Sequence, residues 1–274
     1  MTLPLLVSLV GLTSCVLVIS INFLTATRTN RMKIKKRIDL VLIYIRCILD
    51  VFVGFSVVIY ISVIVLKTLN VNKVNVKTTY FVVFSSLPSA LLWPIRFFLS
   101  ICIAVWRIVC LARPQFAESS GLKVVCSIVI ISSVSIGITE VVVFFLGCSV
   151  KFTAHPGCMA LACMAGPCFI TYSTINRMIL FSLAFICALV FAILICFCET
   201  KETRGKRIVE TDYWFLLCMF NTTVFDCIPF AITLIAGTDF SSNNFGPFVN
   251  TLNMLGACFD AVIVSKIFET HQFL

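Results

Sequence analysis

The sequence predicts an all-α membrane protein, a bundle of seven transmembrane helices with the N-terminus outside. Three observations carry that reading. Hydrophobic residues make up 60% of the 274 positions and charged residues only 12%, about half the usual charged share, so lipid must cover much of the apolar surface. The apolar residues gather into seven segments, each long enough to supply the ~20 residues a helix needs to cross a ~30 Å hydrocarbon layer. The basic residues between them alternate in side. Of the 21 Lys and Arg, fourteen fall on one side, including Arg28, Arg31, Lys33, Lys35, Lys36 and Arg37. Five fall on the other (Lys67, Lys73, Lys77, Lys151 and Arg177), and Arg46 and Arg96 lie within segments. Because the loops are short, this bias places the N-terminus outside and the C-terminus in the cytoplasm. The formal charge of +9 then faces an anionic inner leaflet, not nucleic acid.

The spans read as Leu3–Leu24, Ile38–Leu66, Tyr80–Leu111, Leu122–Leu146, Thr174–Phe197, Thr211–Ala236 and Pro247–Phe268. Each is taken as a helix, because backbone groups in lipid must bond internally. The first could be a signal peptide. It lacks a basic n-region and an A-x-A cleavage site, and six positive charges follow it, so a retained anchor is expected. The second and third are long enough to tilt or project past the bilayer. Pro88 and Pro94 interrupt the third span and Pro229 the sixth; each removes a backbone donor and should kink its helix. Pro229 is the best placed of these as a hinge. The tripeptide Asn221-Thr222-Thr223 has the glycosylation pattern but lies inside the sixth span, out of reach of that modification. No internal repeat of the solenoid or inverted-transporter kind is evident.

Most of the 15 cysteines are single residues within spans, where cysteine packs as a small hydrophobe. Four are different: Cys148, Cys158, Cys163 and Cys168 crowd between the fourth and fifth spans, on the side expected to face an oxidising compartment. Two disulfides are expected there, with three possible connectivities. A zinc site using His155 is the competing reading.

The same stretch carries a resemblance. Gly157-Cys158-Met159-Ala160-Leu161-Ala162-Cys163, followed by Pro167-Cys168-Phe169-Ile170 and Tyr172, is similar to the signature of the nematode serpentine receptor class BC, Srbc. Asp39-Leu40, Tyr44-Ile45-Arg46, Leu49-Asp50 and Gly54 in the second span are similar to the same family. So are Leu87-Pro88-Ser89 and Arg96 in the third span, and Phe225-Asp226 with Pro229 in the sixth. The resemblance runs in order over nearly the whole chain, and its cysteine stretch is the most specific part. It implies a bundle of the G-protein-coupled-receptor type, an external small-molecule ligand, a heterotrimeric G protein as partner and residence in the plasma membrane of sensory neurons. The chain also departs from the usual pattern of such receptors. Trp106 stands before Arg107 where an acidic residue is usual, which puts a lock through that adjacent pair in doubt. The seventh span has no Asn-Pro-x-x-Tyr, and the outer end of the third has no cysteine.

Six ionisable residues lie inside the expected spans: Arg46, Asp50, Arg96, Glu140, Asp226 and Asp260. A charge at mid-bilayer costs at least ~2.5–3.5 kcal/mol on insertion scales, so each should face the bundle interior and a partner. At ~1.5 Å per residue, Asp50 rises roughly 18 Å above Ile38 and Arg96 roughly 16 Å above Arg107. These depths predict an Asp50–Arg96 pair, with Arg46 one turn from Asp50 and able to share it. Asp226 and Glu140 fall in the outer half, as candidate acids of a ligand pocket or as structural hydrogen-bonding groups. Arg107 is the candidate contact for a G protein. The Lys201–Arg207 loop reads mainly as a topology signal.

No enzyme signature, cofactor motif or metal-ligating spacing stands out: there is no Gly-rich phosphate loop and no H-E-x-x-H. Three functions remain in play. They are a ligand-gated seven-helix receptor, a seven-helix channel or transporter, and a receptor-like chain that no longer signals. The basic first loop argues against the inverted, N-terminus-inside orientation of seven-helix chemoreceptor channels. A transporter would show repeated halves with broken helices at matching places. Oligomeric state is not legible.

Overall fold

The computed structural model describes residues 3–30, 38–69, 76–112, 122–148, 162–199, 206–236 and 247–272. Among them every regular element is helical, and seven helices are long and apolar enough to cross a membrane. They are α1 (Leu3–Asn30), α2 (Ile38–Leu69), α3 (Val76–Ala112), α4 (Leu122–Val142), α5 (Ala162–Glu199), α6 and α7 (Phe248–Gln272). The sixth is compound. Its inner arm Lys206–Thr222 passes through a π turn, Thr223–Cys227, into an outer arm, Ile228–Ala236. We call the end of the bundle that holds Leu3 the outer end.

The bundle is apolar outside as well as inside. Phe52, Phe185 and Phe220 are more than half exposed, while the buried set includes nearly every ionisable residue of the middle third. That inversion suits a chain whose surroundings are hydrocarbon. α1 packs on α2 and α7, α2 on α3, α3 on α4 and α5, and α6 on α7. One apolar cluster fills the inner half around Leu42, Ile103, Phe191, Phe215 and Ile267. A second joins α1, α2 and α7 around Val18, Val53, Ile61 and Met254.

Two expectations are corrected. The fifth helix starts well before Thr174. A short turn from Ala162 meets Gly166 at φ +66°, a conformation that glycine adopts without steric cost. Pro167 then opens the long arm, where its missing N–H is one the helix would leave unpaired anyway. The residues just before Thr174 are thus helical, and Phe169 packs edge-on against Phe144 at 4.8 Å. Arg177, counted above with the outer side although it falls within Thr174–Phe197, lies inside the span, its guanidinium 5.7 Å from the ring centre of Phe230. α3 runs as one helix through both Pro88 and Pro94, whereas the sixth helix departs from α geometry just before Pro229.

The π turn there has a local cause. Proline at 229 cannot donate to the carbonyl of Phe225, four residues back. Asn253 of α7 satisfies that carbonyl when its amide nitrogen faces inward, donating to Phe225 O at 2.9 Å and Val249 O at 3.2 Å. Close approach makes this possible. A β-carbon on Gly256 would lie 2.4 Å from Phe225 Cβ, so only glycine lets α7 come so near.

Candidate functional site

At the outer level, α4 ends in a second π turn, Val143–Gly147. The next residue, Cys148, forms a disulfide with Cys168, their α-carbons 5.7 Å apart. The bond ties the end of α4 to the start of the long arm of α5. It also removes Cys168 from any zinc set. Cys158 and His155 lie outside the described residues, as does the side chain of Cys163. One turn or two deeper, Glu140 is 4% exposed and accepts a hydrogen bond from Asn176 Nδ2 at 2.6 Å. α4 and α5 are therefore joined twice, once covalently and once through a buried polar contact.

The middle level holds a charge network drawn from four helices. Arg96 of α3 is 1% exposed and reaches three carboxylates. Its Nε lies 2.5 Å from Asp50 Oδ1, Nη2 lies 3.4 Å from Asp260 Oδ2, and Nη1 lies 3.6 Å from Asp226 Oδ2. Trp93, one turn away on α3, stacks under the same guanidinium at 4.8 Å. Arg46 of α2 donates to Asp260 through Nη2, and its Nε stands 3.9 Å from Asp50 Oδ2. Asp260 of α7 is the hub. Beyond the two arginines it accepts from Asn221 Nδ2 at 2.7 Å, Cys218 Sγ at 3.3 Å and Thr222 Oγ1 at 3.4 Å. Asn221 also donates to the carbonyl of Gly256 at 2.8 Å.

Buried charges persist only when paired and hydrogen-bonded, and this site supplies both. Its count is uneven. Two guanidiniums meet three carboxylates, of which Asp226 is the least engaged, holding its one ion pair at 3.6 Å. No group of three or more His, Cys, Asp or Glu among the described residues is arranged to hold a metal.

At the inner level, Arg107 of α3 faces α6. Its Nη1 lies 3.4 Å from Asp212 Oδ1, with both side chains buried, and its guanidinium sits 5.2 Å from the ring centre of Phe215. The acid absent at position 106 is therefore supplied by another helix.

The structure brings Asp50, Arg96 and Arg46 together, and adds Asp226 to them. Glu140 stands apart, against α5. Sequence reasoning missed Asp260 as hub, Asn221, Asn176 and Asp212. Depth was the usable signal for Asp212: it lies six residues from the inner end of α6, and Arg107 lies five from that of α3. Asn221 was read only as a failed glycosylation site. The first basic loop, 31–37, and residues 201–205 lie outside the described residues.

With that geometry in place, the comparisons add one match. The family model described as serpentine type 7TM GPCR chemoreceptor Srbc matches residues 1–272. No curated protein matches the chain.

Proposed function

Because the chain belongs to the Srbc family of serpentine seven-transmembrane chemoreceptors, we propose that it detects an external small molecule and signals through a heterotrimeric G protein. In this reading it sits in the plasma membrane of a sensory neuron with its N-terminus outside. The observation that supports coupling most directly is the buried contact of Arg107 with Asp212. It joins α3 to α6 at the inner end, where separating those helices would open a groove for a partner. Ligand binding acts by favouring one of two helix arrangements, and only through its differential affinity for them. Arg107 released from Asp212 becomes the contact offered to the G protein. Glu140 and Asp226 stand on the approach from outside, as the acids a ligand would pass on its way inward.

The test is guanine-nucleotide exchange on a co-expressed G protein, with surface expression measured in parallel. The expected result is saturable, chemical-dependent exchange, with Asp212→Asn raising basal exchange several-fold. A well-expressed receptor silent across a broad odorant panel, with no basal change in Asp212→Asn, would return the chain to the non-signalling reading. An engineered glycosylation site at the N-terminus checks orientation: modification there fits this topology, and modification of the first loop instead inverts it.

A further inference from the structure

Between the charge network and the inner pair lies a cleft that neither reading uses. It is walled by α3, α5 and α6, with Phe97, Ala184, Phe215, Met219 and Thr222 among its lining residues, and Arg46 of α2 reaches its wall. Its empty space, open mouth included, is about 370 Å³. The lining is mainly apolar. One feature points to an occupant. Arg46 is only 5% exposed, and its Nε has no hydrogen-bond acceptor among the described residues, Asp50 being 3.9 Å away. An unpaired buried donor costs its desolvation, about 1–3 kcal/mol or more for a charged group, and an acceptor brought into the cleft would recover it.

We propose that this cleft seats the detected molecule, and that the molecule is small, uncharged and mostly apolar, with one hydrogen-bond acceptor such as a ketone, aldehyde or ester. The proposal rests on the receptor reading above and adds the site and the ligand class. Charge selects the class. A protonated amine would face Arg46, the charged residue of the lining. A carboxylate would add a fourth negative charge beside a network that already sets three carboxylates against two guanidiniums. A neutral acceptor meets neither penalty, and its apolar body matches Phe97 and Phe215.

The position also accounts for an effect on α6. The lining residues of α6 run from Phe215, which stacks on Arg107, to Thr222, which adjoins the π turn. The cleft is part open, and its enclosed part is smaller than a ketone of eight carbons. An occupant therefore separates α6 from α3 and α5 at a level just above the Arg107–Asp212 contact.

The experiment uses full-length receptor in lipid nanodiscs without any G protein, so binding is read apart from signalling. Octanone, octanoate and octylamine share a chain and differ in charge. Octanone at roughly a hundred times its Kd should raise the melting temperature by about 5 °C or more, saturably, while octanoate and octylamine should not. Ala184→Phe, which fills the cleft, should abolish the shift. If that variant fails to fold, Met219→Ala decides: the enlarged cleft should move the best ligand to a longer ketone. Absence of a saturable shift with octanone and with longer ketones in both parent and Met219→Ala overturns the proposal. So does equal stabilisation by the charged probes, or a folded Ala184→Phe that keeps the full shift. Saturable ketone binding with no nucleotide exchange would leave this site standing and fail only the G-protein reading.

Discussion

The middle and inner levels of the bundle hold their buried arginines in opposite ways. Arg96 touches three carboxylates on three helices, and one of these, Asp260, is also held by Arg46, Asn221, Thr222 and Cys218. Arg107 meets Asp212 at 3.4 Å and the ring of Phe215, both on α6. A group anchored by many partners loses little when one contact breaks, and moves only if several break together. A group held across one interface changes state when that interface opens. The middle level ties four helices into one hub, whereas both described contacts of Arg107 lie on α6, so parting α3 from α6 would break them together.

The hub reading is broken most directly at Asp260. Asp260→Ala leaves two buried guanidiniums short of their shared partner. Removing one member of a buried ion pair costs about 3–5 kcal/mol, so we expect near-complete loss of folded receptor at the surface. Retention of parental expression would show that the network is not a hub. A charge exchange sharpens the same point. Asp50→Arg combined with Arg96→Asp preserves that pair but sets the new acid against Asp226 and Asp260. Each single change should abolish expression, and the double variant should recover only part of it. Full recovery would mean that the α6 and α7 contacts carry little weight.

The two levels also differed in how far the sequence revealed them. Hydropathy marks the seven spans because lipid demands long apolar helices. Asp50 and Arg96 could be matched by depth because α2 and α3 are consecutive and antiparallel, so a count of residues from their shared loop or inner ends compares them directly. Asp260 had a depth but no partner. Which face of α7 turns inward depends on how α1, α2 and α6 close around it; Asn253, Gly256 and Asp260, at i, i+3 and i+7, mark that face, and the spacing alone names no partner on another helix. Asp212 is not legible from the residues beside Arg107, because this partner comes from another helix of the bundle. The start of α5 fell in the cysteine stretch between the fourth and fifth spans, where Phe169 packs on Phe144 and Cys168 bonds to Cys148, contacts that hydropathy does not reveal.

The interface that carries both levels on α6 can be tested without touching a charge. Gly256→Ala would place a methyl 2.4 Å from Phe225 Cβ, next to the π turn and to the Asn221 contact with the Gly256 carbonyl. Forcing an extra methyl into such a contact costs about 1–3 kcal/mol. A fall of that size in thermal stability, together with raised basal nucleotide exchange, is expected if α7 holds α6 in place. Destabilisation with unchanged basal exchange would confine Gly256 to packing.

Asp226→Asn should have the smallest effect on folding, and it separates charge from contact. Arg96 keeps Asp50 and Asp260, so the guanidinium is not stranded, and the amide oxygen of asparagine can still accept from it. The change also brings the network from three acids against two arginines to two against two, removing the excess negative charge that burial penalises. We therefore expect surface expression and melting temperature within about 1 kcal/mol of the parent, in the range of substitutions that break no essential contact. If Asp226 also meets ligand on its way inward, odorant sensitivity should fall while expression holds. Unchanged sensitivity would remove Asp226 from the ligand path and leave it purely a member of the network. Collapse of expression would mean that its 3.6 Å contact with Arg96 is as binding as those of Asp260, and that the middle level tolerates no loss at all.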